Sequence, residues 1–206
     1  MHDPFPLALP AALVPYAEKL GSALALQTLP LHIHEVAAAY AVYHVTNKYV
    51  SPVLSRYFAP RTYASLNART KLNWDVHVVS FVQSVVICTL ALWVMWTDTE
   101  RSEMDTRERV HGYTGASGLI QAFAAGYFLW DLVVTVQNVH AFGIGMLFHA
   151  ISALCVFSLG FVSARTPRMS SRILTMTTAP LCELLRAHLH PLRAVLAVPQ
   201  RPLVLR

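Results

Sequence analysis

Two apolar runs of membrane length stand back to back in this chain. Gly115–Val136 and Phe142–Phe161 are separated by a short polar break, and each carries an ionisable residue, Asp131 in the first and His149 in the second. A helix needs about 20 apolar residues to cross the hydrocarbon of a bilayer. A charged side chain at that depth costs roughly 2.5–3.5 kcal/mol on insertion scales. Asp131 and His149 are therefore expected to face inward, and toward each other.

The rest of the chain fits an all-α, multi-pass transmembrane bundle of about four spans. Of its 206 residues, 55% are hydrophobic and 13% charged, against about 25% charged residues in a soluble domain. A further span is read at Val76–Trp96, and a less hydrophobic one at Ile33–Leu54, which carries Glu35, His44 and Asn47. Residues 1–28 contain Pro4, Pro6, Pro10 and Pro15 and lack a basic leader. They read as an interfacial segment, with a short helix over Ala11–Leu29 lying on the membrane surface. Cys88, Cys155 and Cys182 have no metal or redox spacing. No basic patch with interleaved aromatics occurs in the body, so nucleic acid is not expected as a partner.

Loop charge sets an orientation. Lys48, Arg56, Arg61, Arg69 and Lys71 precede the first acid of that loop, Asp75, whereas 98–109 is rich in acids. The positive-inside trend puts the first loop in the cytosol and the second in the lumen. The last two spans then form a hairpin with its turn, Gln137–Ala141, at the cytosolic side. Asp131 lies about eight residues before that turn and His149 about ten after it, so at 1.5 Å rise per residue they reach similar depth. Gln83 falls near the same level and His77 closer to the surface, which predicts a polar cluster of Gln83, Asp131 and His149.

Each of these residues also has a plainer role. Asp131 with His149 suits proton transfer, a clamp on a lipid headgroup, or simply an interhelical hydrogen bond. His77 suits a lipid phosphate or an interfacial position, and Gln83 an interhelical bond. Tyr127, Phe128 and Trp130 suit an acyl-chain groove, or lipid-facing packing, which is the reading favoured here. His32, His34 and Glu35 offer three possible ligands in four residues, but without an evident fourth ligand they read as a polar cap, and no metal is expected. Gly115, Gly118, Gly143 and Gly145 suit close helix approach.

The strings Leu29-Pro-Leu-His-Ile-His-Glu35, Asn73-Trp-Asp-Val-His-Val-Val-Ser80, Gly126-Tyr-Phe-Leu-Trp-Asp131 and Phe142-Gly-Ile-Gly-Met-Leu-Phe-His149 resemble the TLC-domain family, the membrane fold shared with ceramide synthases. The resemblance covers about 27–161, which gives a TLC-like transmembrane domain at 29–161. It implies a multi-pass protein of the endoplasmic reticulum membrane concerned with lipid homeostasis through lipid binding, sensing or transport. Ceramide synthases of this family show two adjacent histidines where this chain has Phe148-His149-Ala150. The resemblance is therefore to the branch without that activity. Two alternatives stand beside lipid binding. One is an acyl-CoA-dependent N-acyltransferase with His149 as base and Asp131 orienting it; the other is a structural bundle without ligand. No cofactor is expected apart from acyl-CoA under the transferase reading. Membrane lipids are the expected partners, and self-association into a homo-oligomer is left open.

Residues 162–206 break the pattern. Their seven basic residues are all arginine, five prolines fall among them, and Glu183 is the lone acid. The family resemblance implies further apolar spans at this point. Val162 can be encoded as an intron donor, Leu174-Thr175 as a branch point and Thr178-Ala179 as an acceptor. A retained intron followed by a shifted frame is the expectation for this tail, which would then be disordered or non-native.

Overall fold

Membrane-length apolar runs become long helices because a backbone without water must satisfy its own hydrogen bonds. The computed structural model describes residues 3–105 and 112–162. In order these are α1 (Val14–Ala23), α2 (Leu29–Val45), α3 (Ser51–Phe58), α4 (Pro60–Ser65), α5 (Ala68–Thr97), α6 (Thr99–Glu103), α7 (Gly115–Gln137), α8 (Val139–Phe142) and α9 (Ile144–Ser158). Among the described residues there is no strand. The fold is an all-α helical membrane bundle. The reading of residues 163–206 as a disordered or non-native tail lies outside the described residues.

Among the described residues, three helical stretches are long and apolar enough to cross a membrane: Ala68–Thr97, Gly115–Gln137 and Ile144–Phe161. The fourth expected span is helical from Leu29 to Phe58 without a break, but its register changes. Thr46–Val50 forms a π-helical turn between α2 and α3. Pro52, just inside α3, has no N–H to donate and crowds the carbonyl one turn back. A π turn absorbs that mismatch, and the Thr46 hydroxyl bonds back to the Val42 carbonyl at 2.8 Å.

Helix α7 is the centre, packed against α2, α5 and α9. Its most apolar window is 44% buried, against 17% for α5 and 11% for the stretch from α9 to Phe161. Phe81, Met95, Trp96, Ile144 and Phe157 stand exposed on the outer faces, as side chains meeting acyl chains do. Close contact of α2 and α7 needs Gly126, where a Cβ would lie 2.6 Å from the Ala39 Cβ. Gly143 and Gly145, expected at a helix seam, have nothing within 4 Å of a notional Cβ. They sit on an outward face because α9 turns Ala150 toward the bundle.

The bundle has two ends. At the first, where α2 and α7 begin, the Thr28 N–H and hydroxyl both donate to the Phe161 carbonyl at 3.0 Å. Asp98 ties the end of α5 to the start of α7 by accepting from the Thr114 hydroxyl at 2.7 Å. Burial raises the Asp98 carboxyl, but the hydrogen bonds from Thr114 and the Arg101 N–H hold it below its ordinary value. Thr114 and Ser117 form a reciprocal capping box on α7. At the second end Arg69 donates to the Ala141 carbonyl at 2.6 Å, fastening α5 to the α7–α9 hairpin.

Candidate functional site

The core of the bundle places Ala39 and Tyr43 of α2, Val79 of α5, and Trp130 and Val134 of α7 side by side. Polar side chains cross this apolar packing in pairs. The Tyr43 hydroxyl donates to Gln83 Oε1 in a short bond. Tyr127 and Ser80 share a hydroxyl–hydroxyl bond of 2.9 Å. The Tyr43 and Tyr127 rings meet edge to face at 5.5 Å. Each bond joins a pair of helices and satisfies a group that would otherwise be costly in hydrocarbon.

This arrangement redistributes the residues singled out from sequence. Gln83 is buried, but its partner is Tyr43, not Asp131 or His149. Asp131 is buried on α7. His149 is exposed on α9, one position before the inward Ala150; no hydrogen bond or ion pair joins it to Asp131, but it lies close enough for its charge to act on the Asp131 carboxyl through space. Equal depth in a hairpin does not fix which way a side chain turns, since one residue shifts direction by about 100° on a helix. Trp130, read as lipid-facing, is fully buried, with its indole N–H unpartnered. Its position one turn beyond Gly126 puts it against α2 and α5 instead. His77 is exposed near the second end, and its Nδ1 bonds the Asn73 carbonyl at 2.7 Å.

The densest polar site lies at the first end. His32 and Glu35 occupy consecutive turns of α2, 1% and 0% exposed. His32 Nδ1 is 2.8 Å from Glu35 Oε1 and 3.5 Å from Asp3 Oδ2, and Nε2 bonds the Tyr113 hydroxyl in a short contact. Glu35 Oε2 and His34 Nδ1 are buried without partners. Gly118 makes room for the imidazole, since a Cβ there would lie 2.2 Å from Nε2. Burial, then the nearby Asp3 and Glu35 carboxylates, push the Tyr113 phenol up to about 12, so it stays protonated. An open cleft of about 620 Å³, lined by Asp3, His32, Glu100, Tyr113 and Thr114 among others, leads to this cluster. Sequence reading noticed His32, His34 and Glu35 but had no signal for Asp3 or Tyr113, which lie 29 and 81 residues from His32 along the chain.

Beside it runs an apolar groove of about 360 Å³. Leu9, Leu13, Tyr16 and Leu20 form one wall, and Ile33 and Ala37 of α2 the other, with His34 at the rim nearest Glu35. At the second end Asp75, unmarked as a site residue by sequence, accepts from the Ser51 hydroxyl at 2.6 Å and from Tyr63 at 3.0 Å. Trp74 donates to Ser55 at 2.9 Å. The Asn-Trp-Asp string thus anchors α3 and α4 onto α5.

Comparison with known proteins agrees with this architecture. The TLC domain model of the TRAM, LAG1 and CLN8 grouping matches residues 73–179. The chain belongs to the TLC-domain family. The match continues past Phe161, beyond the stretch that carried the resemblance in sequence. An uncharacterized TLC domain-containing protein of Schizosaccharomyces pombe is 38% identical over 157 residues, 76% of this chain and 50% of that protein. Topoisomerase I damage affected protein 4 of Saccharomyces cerevisiae is 28% identical over 130 residues, 62% of this chain and 44% of that protein. The chain therefore spans about half the length of the curated relatives it matches. No solved structure matches it.

Proposed function

We propose that this TLC-domain protein acts in the endoplasmic reticulum membrane by binding a membrane lipid, and that it contributes to lipid homeostasis through that binding. The supporting observation is the apolar groove between the N-terminal segment and α2. Its walls are mostly apolar, it is large enough for much of an acyl chain, and its polar rim at His34 adjoins the His32–Glu35 cluster. A lipid seated there would lay its chain along Leu13 and Ala37 and turn its headgroup toward polar side chains, which is how pockets divide apolar bulk from orienting groups. On this reading Gln83, Tyr127 and Trp130 shape the bundle behind the groove, and His77 meets lipid headgroups at the opposite surface. The transferase reading draws less support. A general base has to reach the proton it removes, and His149 stands on an exposed face without a bond to its proposed carboxylate partner.

Lipid analysis of a knockout tests this reading. Wild-type chain should restore the lipid profile, His149→Ala should restore it as well, and Ala37→Trp, which fills the groove, should not. Full rescue by Ala37→Trp would remove the groove from the function. Failure of His149→Ala, with normal protein levels, would return the case to acyl transfer.

A further inference from the structure

At the first end two carboxyl groups, those of Asp3 and Glu35, meet a single imidazole, that of His32. Asp3 Oδ2, His32 Nδ1 and a Glu35 oxygen all lie within 4.8 Å of one another. Two carboxylates thus converge on one imidazole nitrogen, and Glu35 is fully buried with Oε2 unpartnered. A buried carboxylate oxygen without a partner is costly.

We propose that Asp3, His32 and Glu35 bind a divalent cation of the zinc class, with the fourth coordination position open to the cleft. One imidazole nitrogen and two carboxylates are a ligand set suited to zinc, whose bonds to nitrogen and oxygen run about 2.0–2.2 Å. Tetrahedral ligands at that distance sit about 3.4 Å apart. The His32 to Asp3 separation is 3.5 Å, and the 2.8 Å His32 to Glu35 contact opens slightly as a metal replaces the shared proton. Two carboxylates and a neutral imidazole balance a divalent charge. The hard cations calcium and magnesium want six or more oxygens and fit this set poorly.

Tyr113 completes the arrangement as a positioning residue. With a metal on Nδ1, the His32 proton moves to Nε2 and is donated to the Tyr113 oxygen. A metal-bound histidine commonly gives its other N–H to such a partner. Gly118 keeps the ring in that line, and the open cleft supplies a path for the ion and a water for its fourth position.

Cobalt(II) titration of the purified full-length chain, after chelator treatment, tests the site. Cobalt reports its coordination through visible absorption, and competing zinc should erase the signal. One cobalt per chain with a four-coordinate spectrum is expected. Asp3→Asn alters a partly exposed residue and leaves the buried pair in place, so it should fold and bind at least about tenfold more weakly. Glu35→Gln should bind still less, and Tyr113→Phe should weaken binding about 10- to 100-fold while keeping the four-coordinate spectrum. Equal binding by wild type and Asp3→Asn overturns the proposal, as does a folded wild type that takes up no cobalt. The readout is independent of lipid binding, so failure here leaves the groove reading standing.

Discussion

Substituting Gly118 by alanine sets two effects against each other. Within a helix, alanine is more favourable than glycine by about 1 kcal/mol. Against this, the new methyl would lie 2.2 Å from His32 Nε2 and 2.6 Å from Cε1. The ring cannot swing away cheaply. It is 1% exposed and held on both nitrogens, by Glu35 and by Tyr113. Overpacking of this kind costs about 1–3 kcal/mol, and each buried polar group that loses its partner costs about 1–3 kcal/mol more. Steric cost therefore wins, with a net loss of about 2–3 kcal/mol after the propensity gain. For a chain of this size each kcal/mol moves the midpoint by about 2–4 °C, so the melt should fall by about 4–12 °C. Gly145→Ala is the internal control. A methyl there meets nothing within 4 Å, so the melt should hold or rise slightly. The assay is thermal unfolding in one detergent, followed by near-ultraviolet dichroism. A Gly118→Ala melt equal to or above wild type would refute the close contact of His32 with α7.

Tyr43→Phe should cost about 1–3 kcal/mol in the same assay, because Gln83 is left buried without its donor, and Tyr43→Phe with Gln83→Leu should recover most of that loss. Asp75→Ala should destabilise by a similar amount by stranding Ser51 and Tyr63, and should loosen α4 as read by proteolysis near Arg61. Asp98 has its folded pKa held below the ordinary value, so its contribution is present above about pH 4 and is lost as pH falls through the folded pKa. Thr114→Val removes one of the bonds responsible, so acid unfolding should begin at higher pH than in wild type.

Three spans were legible because length and hydropathy alone decide whether a helix can cross a bilayer. Val76–Trp96, Gly115–Val136 and Phe142–Phe161 map onto helices Ala68–Thr97, Gly115–Gln137 and Ile144–Phe161. Helix α5 extends further at its start because Asn67 caps it through the Thr70 N–H at 2.9 Å, ahead of the apolar run. The Ile33–Leu54 span was partly legible as a helix, but no periodicity announces the π turn at Thr46–Val50. The direction in which His149 points was not legible, because depth along a hairpin carries no rotational information. Apolar residues surround Ala150 as fully as His149 in the sequence. The first-end cluster was half legible: His32, His34 and Glu35 stand out together, whereas Asp3 and Tyr113 reach it only through tertiary folding.

Photoactivatable lipid, crosslinked to the full chain in bilayers and mapped by peptide sequencing, tests lipid binding most directly. The account predicts adducts concentrated on Leu13, Tyr16, Ile33 and Ala37, and their loss in Ala37→Trp. Adducts spread over the outward faces of α5 and α9, unchanged by Ala37→Trp, would contradict it.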